Sequence, residues 1–144
     1  MIEQRTQYGF SVTVPMSFAV ALQRTRDELA REGFGVLTKI DVSATLEKKL
    51  GVAFRPYVIL GACNPSLAHR ALTADLDIGL LLPCNVVVYS ADVPGWTVVG
   101  AMDPAAALEL AGNAAIAPVA AEAKARLGRA LDRVAARVGD SGGA

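Results

Sequence analysis

The run YVILGACNPSLAHR, residues 57–70, passes from an apolar stretch directly into a proline-led helical pattern. It is echoed by LLPCNVVVY, residues 81–89. Tyr57–Cys63 and Asn85–Tyr89 show no polar–apolar alternation, so each reads as an interior strand that expects cover on both faces. The first closes on Cys63-Asn64 and the second opens at Asn85, just after Cys84, and these are the only two cysteines in the chain. The connection over residues 64–83 is too long for a hairpin. It predicts a short helix from Pro65 to Leu72, with Asn64 as its cap and Pro65 in its first turn. If the two strands are antiparallel neighbours, the exit of one lies beside the entry of the other. Both cysteines, both asparagines and His69 then gather at one rim of a sheet.

Outward from this centre, Tyr8, Phe10, Val12 and Val14 alternate with small or polar residues and predict a half-buried strand. Ser17 is placed to cap a helix whose apolar stripe is Phe18, Leu22, Thr25 and Leu29. Gln23, Arg24, Arg26, Asp27 and Glu28 are expected to face outward. Gly33 supplies a left-handed stop. Val36, Thr38 and Ile40 form a second alternating strand, and Asp41 caps a short helix carrying Val42, Leu46 and Leu50. After the fourth strand, Pro94-Gly95 fits a type II turn leading into a fifth strand, Trp96–Met102. Asp103-Pro104 opens a helical region broken near Gly112-Asn113. The last helix carries Ile116, Ala120, Ala123, Leu127, Leu131, Val134 and Val138 as one stripe.

Two long helices and five strands predict an α+β fold, a mostly antiparallel sheet with both long helices on one face. Residues 1–139 make a single domain, and residues 140–144 are expected to be a disordered tail. The opposite face then needs cover along its two central apolar strands, and a second copy of the chain is the expected partner.

Of the 144 residues, 53% are hydrophobic, yet no unbroken apolar run approaches the ~18 residues of a membrane span. MIEQRTQ lacks the order of a signal peptide, so a cytoplasmic protein that does not enter the membrane is expected. Lys plus Arg and Asp plus Glu balance at 14 each. Such a chain has no field to gather phosphates, and nucleic acid is not an expected partner. The arginines, with Glu122 and Arg126 four apart, fit a solvated helix face.

The rim admits several chemistries. Free cysteine behaves as a small hydrophobe and asparagine caps helices, so a purely structural role accounts for both pairs. A helix N-terminus at Asn64-Pro65 would favour a Cys63 thiolate for redox or nucleophilic work. Cys63, His69 and Cys84 could hold zinc or copper, although their spacing is not that of a metal motif. A small-molecule pocket would use the asparagine amides with Arg55 or Arg70 to fix a polar ligand. The leading functional expectation is a dimeric small-molecule-binding domain with Arg55, Cys63, Asn64, His69, Arg70, Cys84 and Asn85 at its site. A thiol or metal protein and a docking module without a ligand are the alternatives. The residues define no catalytic set, no cofactor and no enzyme class.

The blocks EGFGVLTKIDVSATLEKKLG (32–51), FRPYVILGACNPSLAHRAL (54–72) and IGLLLPCNVVVY (78–89) together closely resemble the Domain of Unknown Function 302 family. The resemblance runs from about Tyr8 to Val138. It implies a topology like that of the TATA-box-binding protein: a strand, a helix, four antiparallel strands and a helix. It also implies mainly bacterial and archaeal relatives and homodimers, and it brings no biochemical activity. Carried onto this chain, the family's signature positions include Arg55, Pro56, Gly61, Cys63, Asn64, His69, Pro83, Cys84 and Asn85.

Overall fold

In the computed structural model, residues 2–143 are described, with side chains for residues 2–136. The order is β1 (Gly9–Val14), α1 (Phe18–Arg31), β2 (Gly35–Asp41), α2 (Val42–Leu50), β3 (Tyr57–Cys63), α3 (Pro65–Ala74) and a 3-10 turn (Leu76–Leu81). Then come β4 (Cys84–Ser90), β5 (Thr97–Met102), α4 (Pro104–Leu108), a second 3-10 turn (Glu109–Ala111) and α5 (Ala117–Gly143). Local chemistry sets most of these boundaries. The side chains of Ser17, Asp41, Asn64 and Asp103 each accept a hydrogen bond from the backbone N–H groups of the turn that follows. Gly95 sits at φ +84°, and the Trp96 N–H donates to the Val93 carbonyl, as a type II turn requires.

The strands form one sheet in the order β1-β5-β4-β3-β2, with every pairing antiparallel. This is the α+β fold expected, with α1 and α5 packed on one face. Val12, Val14, Val58, Leu60, Val86, Val88 and Val99 point to that face and join Ala21 and Leu29 of α1 and Leu127, Leu131 and Val134 of α5. A second, smaller core brings Leu67 and Ala71 of α3 together with Ile78, Leu108, Ile116, Val119, Ala120 and Ala123. The α5 stripe therefore serves two cores, its first turns packing on α3 and α4 and its later turns on the sheet. Val138 and the tail at 140–144 fall where side chains lie outside the described residues.

Two expectations are corrected. Glu28 does not face outward: it is 0% exposed, turned into the α1–α5 interface. There Arg133 Nε donates to Glu28 Oε2 at 2.6 Å and its Nη2 to Glu32 Oε2 at 2.7 Å, while Arg129 forks onto Glu32. The arginines of α5 are thus not merely a solvated face. They neutralise two carboxylates that would otherwise be too costly to bury. The Arg129 hydrogen bonds hold the Glu32 carboxyl below the usual carboxylate range, with Arg133 adding to them and burial opposing. The expected gap in cover is present. Within one chain helices blanket only one face of β3 and β4, and the residues on the other, such as Ile59 and Val87, are only half-buried.

Candidate functional site at the Cys-Asn pairs

The β3–β4 register pairs Gly61 with Asn85 and Ala62 with Cys84, so Cys63 stands one step beyond at the end of β3. Both cysteines occur at one rim of the sheet and both are free thiols. They line a cavity of about 260 Å³. Its walls come from both cores: Phe34 and Ala62 from the sheet side, and Leu67, Ala71, Leu108 and Ala123 from the helices around α3. Pro83, preceded by a cis peptide bond, and Leu37 complete the lining. Leu37 is the extra residue of a bulge, where the β2–β3 register slips between Val36 and Thr38. A bulge re-aims side chains, and this one leaves Leu37 69% exposed while it still lines the cavity.

The cavity is apolar in character. Asn64 is buried, and its amide is already committed: Oδ1 accepts from the Leu67 N–H at 3.2 Å, and Nδ2 donates to the Glu32 carbonyl at 3.4 Å. The same carbonyl accepts from Arg126 Nη1 at 3.1 Å. Asn64 thereby caps α3 and ties it to the end of α1. A Cβ on Gly33 (φ +83°) would lie 2.9 Å from that amide, so the tie also depends on glycine there. The Cys84 thiol is pushed up to about 11, by burial first and by the neighbouring Cys63 second. It is a neutral thiol across the physiological range.

The seven expected site residues divide. Cys63, Asn64 and Cys84 meet at the cavity. Asn85 alternates away from Cys84 along β4 and lines a groove on the sheet's other face. His69 and Arg70 sit exposed on α3, with Arg70 paired to Glu122 at 3.5 Å. Arg55 precedes the opposite end of β3, where it donates to the Ser90 carbonyl and pairs with Asp92 at 2.9 Å. The grouping of all seven is therefore corrected by strand alternation and strand length. The proposed metal set of Cys63, His69 and Cys84 does not assemble either. Among the described residues no three His, Cys, Asp or Glu side chains form a group that could hold a metal ion. Sequence reading missed Ala71, Leu108, Val119 and Ala123 as cavity walls. The small residues Ala71 and Ala123, on facing helices, are the signal that space would be left there.

No helix among the described residues is long and apolar enough to cross a membrane. No curated protein matches this chain. The crystal structure of the uncharacterized conserved protein DUF302 from Bacillus stearothermophilus is similar over 90% of this chain and 99% of its own, with 35% identity and a TM-score of 0.82. The model of the family described as domain of unknown function DUF302 matches residues 10–134. On the family match and the shared fold together, this chain belongs to the DUF302 family.

Proposed function

We propose that this domain binds a small apolar molecule in the cavity between its two cores. The observation that carries the reading is the lining. Two thiols, one already committed amide and otherwise carbon surround about 260 Å³. Such a site selects by shape and apolar contact, since no charged group is aimed into it. The volume lies above the ~150 Å³ that holds a benzene ring in an engineered core and below that of drug-sized pockets. One or two rings, or a short hydrocarbon chain, fit. The raised pKa of the buried Cys84 thiol speaks against Cys84 itself acting as a thiolate at neutral pH.

Titration with toluene and 1-hexanol, followed by the methyl resonances of Ala62, Ala71 and Ala123, tests the reading. Saturable shifts confined to these methyls are expected, and Ala71→Leu, which fills the cavity, should abolish them. Absence of saturation with both probes, or saturation that survives Ala71→Leu, would falsify the site.

We also propose that the domain works as a homodimer joined through β2 and α2. No residue of α2 is buried, and Ile40, Leu50 and Phe54 are each about half exposed or more. With cationic and anionic residues balanced at 14 each, two copies meet without net repulsion. Light scattering should give twice the 15.0 kDa chain mass and a monomer for Phe54→Asp. A monomeric wild type at micromolar concentration would remove the dimer and leave the cavity reading intact.

A further inference from the structure

The sheet face opposite α1 and α5 holds a groove of about 920 Å³ that the cavity does not share. Ser11, Gly100 and Val87 are successive register partners on β1, β5 and β4 along its floor. A Cβ on Gly100 would come within 3.3 Å of Val87 and 3.7 Å of Ser11, so glycine keeps this floor low. Ser11 is 8% exposed and lines the groove. Its hydroxyl is the one buried side-chain polar atom among the described residues that lacks a hydrogen-bond partner. Leaving such a group unmatched is costly, and buried hydroxyls in folded proteins are nearly always matched. The Asn85 side-chain amide also lines the groove and forms no hydrogen bond with the described residues.

The aromatic side chains add a direction. Phe54 packs on Tyr57 with centroids 6.1 Å apart, and Tyr57 stacks on Tyr89 at 5.1 Å and 5° between planes. Tyr57 occupies one face of the Tyr89 ring. On its other side the next strand presents Val98, the register partner of Tyr89, and both line the groove. The aromatic row therefore ends at the groove, with half-buried Tyr89 beside Val98 on its lining. Charge recruits nothing strongly here. Arg5 at the groove is engaged by Glu3 and by the Thr13 hydroxyl, and Glu109 is the acidic residue on the lining.

We infer that this groove binds a planar heteroaromatic molecule, its ring packed against Tyr89 and its polar edge hydrogen-bonded by Ser11 and Asn85. Ser11 and Asn85 are two strands and two residues apart, ~12 Å between backbones. With side chains reaching inward, a fused two- or three-ring system spans that gap. A phosphate or other strong anion is not the expected ligand.

Riboflavin and adenosine serve as probes, the first read by quenching of its own fluorescence and the second by competition. Saturable quenching is expected for the wild type, weakened about tenfold by Tyr89→Ala, the scale of a lost ring stack, and about fivefold by Ser11→Ala. Ala71→Leu, which fills the cysteine cavity, should leave quenching unchanged, so the two sites stand or fall separately. If Tyr89→Ala does not fold, Asn85→Ala, at an exposed position, must still weaken binding. No saturation by either probe up to about 1 mM, the edge of weak affinity, overturns the inference. So does affinity indifferent to all three groove variants. Loss of a dimer in Tyr89→Ala without any riboflavin effect would make this face a contact between copies, and that too overturns it.

Discussion

On the helix side of the sheet, Leu60, Val86, Val88 and Val99 are fully buried, each locked between strands and α1 or α5. On the other side, the neighbours one residue along, Ile59, Asn85, Val87 and Tyr89, are half-buried or exposed. The residue types barely differ between the two faces of β3, so hydrophobicity alone does not decide which is covered. What decides is the supply of partners: one chain has two long helices, and both are held on the same side by the Glu28–Arg133 and Glu32–Arg129 pairs. Stability is thus concentrated on one face, while the other face and the rim keep the open groove and cavity.

Substitutions can break this contrast directly. Leu131→Ala on α5 should cost about 3–4 kcal/mol in urea unfolding, and Ile59→Ala on the open face no more than about 1. Equal losses would mean that the second face is a core in its own right. Arg133→Met comes next, at about 2–3 kcal/mol near neutral pH, because it removes a 2.6 Å charged partner of the buried Glu28 carboxylate. The loss should shrink in acid. Glu32 is more acidic in the folded chain than unfolded, so its contribution is present above the unfolded carboxylate pKa of ~4.3 and vanishes as pH falls through the lower folded value.

At the rim the sign reverses. The Cys84 thiol is a weaker acid folded than unfolded, so the folded state keeps a proton that the unfolded chain gives up above ~8.5. Stability should therefore decline from that pH up to about 11, by on the order of 3 kcal/mol, and Cys84→Ala should flatten the decline. Thermal melts across alkaline pH measure it, and an unchanged slope in the variant would contradict the burial of that thiol. A similarly small effect is expected at Gly61, on the open face. Its added Cβ would collide with Thr38 Oγ1 and come within 2.9 Å of Pro83 Cγ. Thr38 is exposed and can rotate, but the proline ring yields less, so Gly61→Ala should cost about 1 kcal/mol. A loss beyond that of Leu131→Ala would place the tightest packing on the wrong face.

Much of this architecture was legible in the amino-acid order because local signals agreed with the global pattern. Ser17, Asn64 and Asp103 cap where expected, Pro94-Gly95 turns where expected, and the apolar stripe from Ile116 to Val134 is buried throughout. The neighbourhood of Cys63 and Cys84 followed from the strand order. Three things did not follow. Glu28 reads as a surface residue because its partner Arg133 lies 105 residues away, and no local spacing reveals so distant a neutralising group. Asn85 turns away from the cavity because β4 runs on through it, whereas Asn64 leaves its strand to cap α3, a difference that two identical dipeptides conceal. Arg55 is expected at the site as a cation to fix a polar ligand, yet the seven-residue β3 carries it to the opposite end of the sheet.

The path of α5 through both cores has a thermodynamic consequence. A helix shared by two clusters makes neither an independent melting unit: loss of the contacts around Ala120 and Ala123 frees the first turns of the rod that also pins the sheet at Leu127 and Leu131. Heating should produce one cooperative transition, and amide exchange near α3 should slow together with that of the sheet when the cavity is filled.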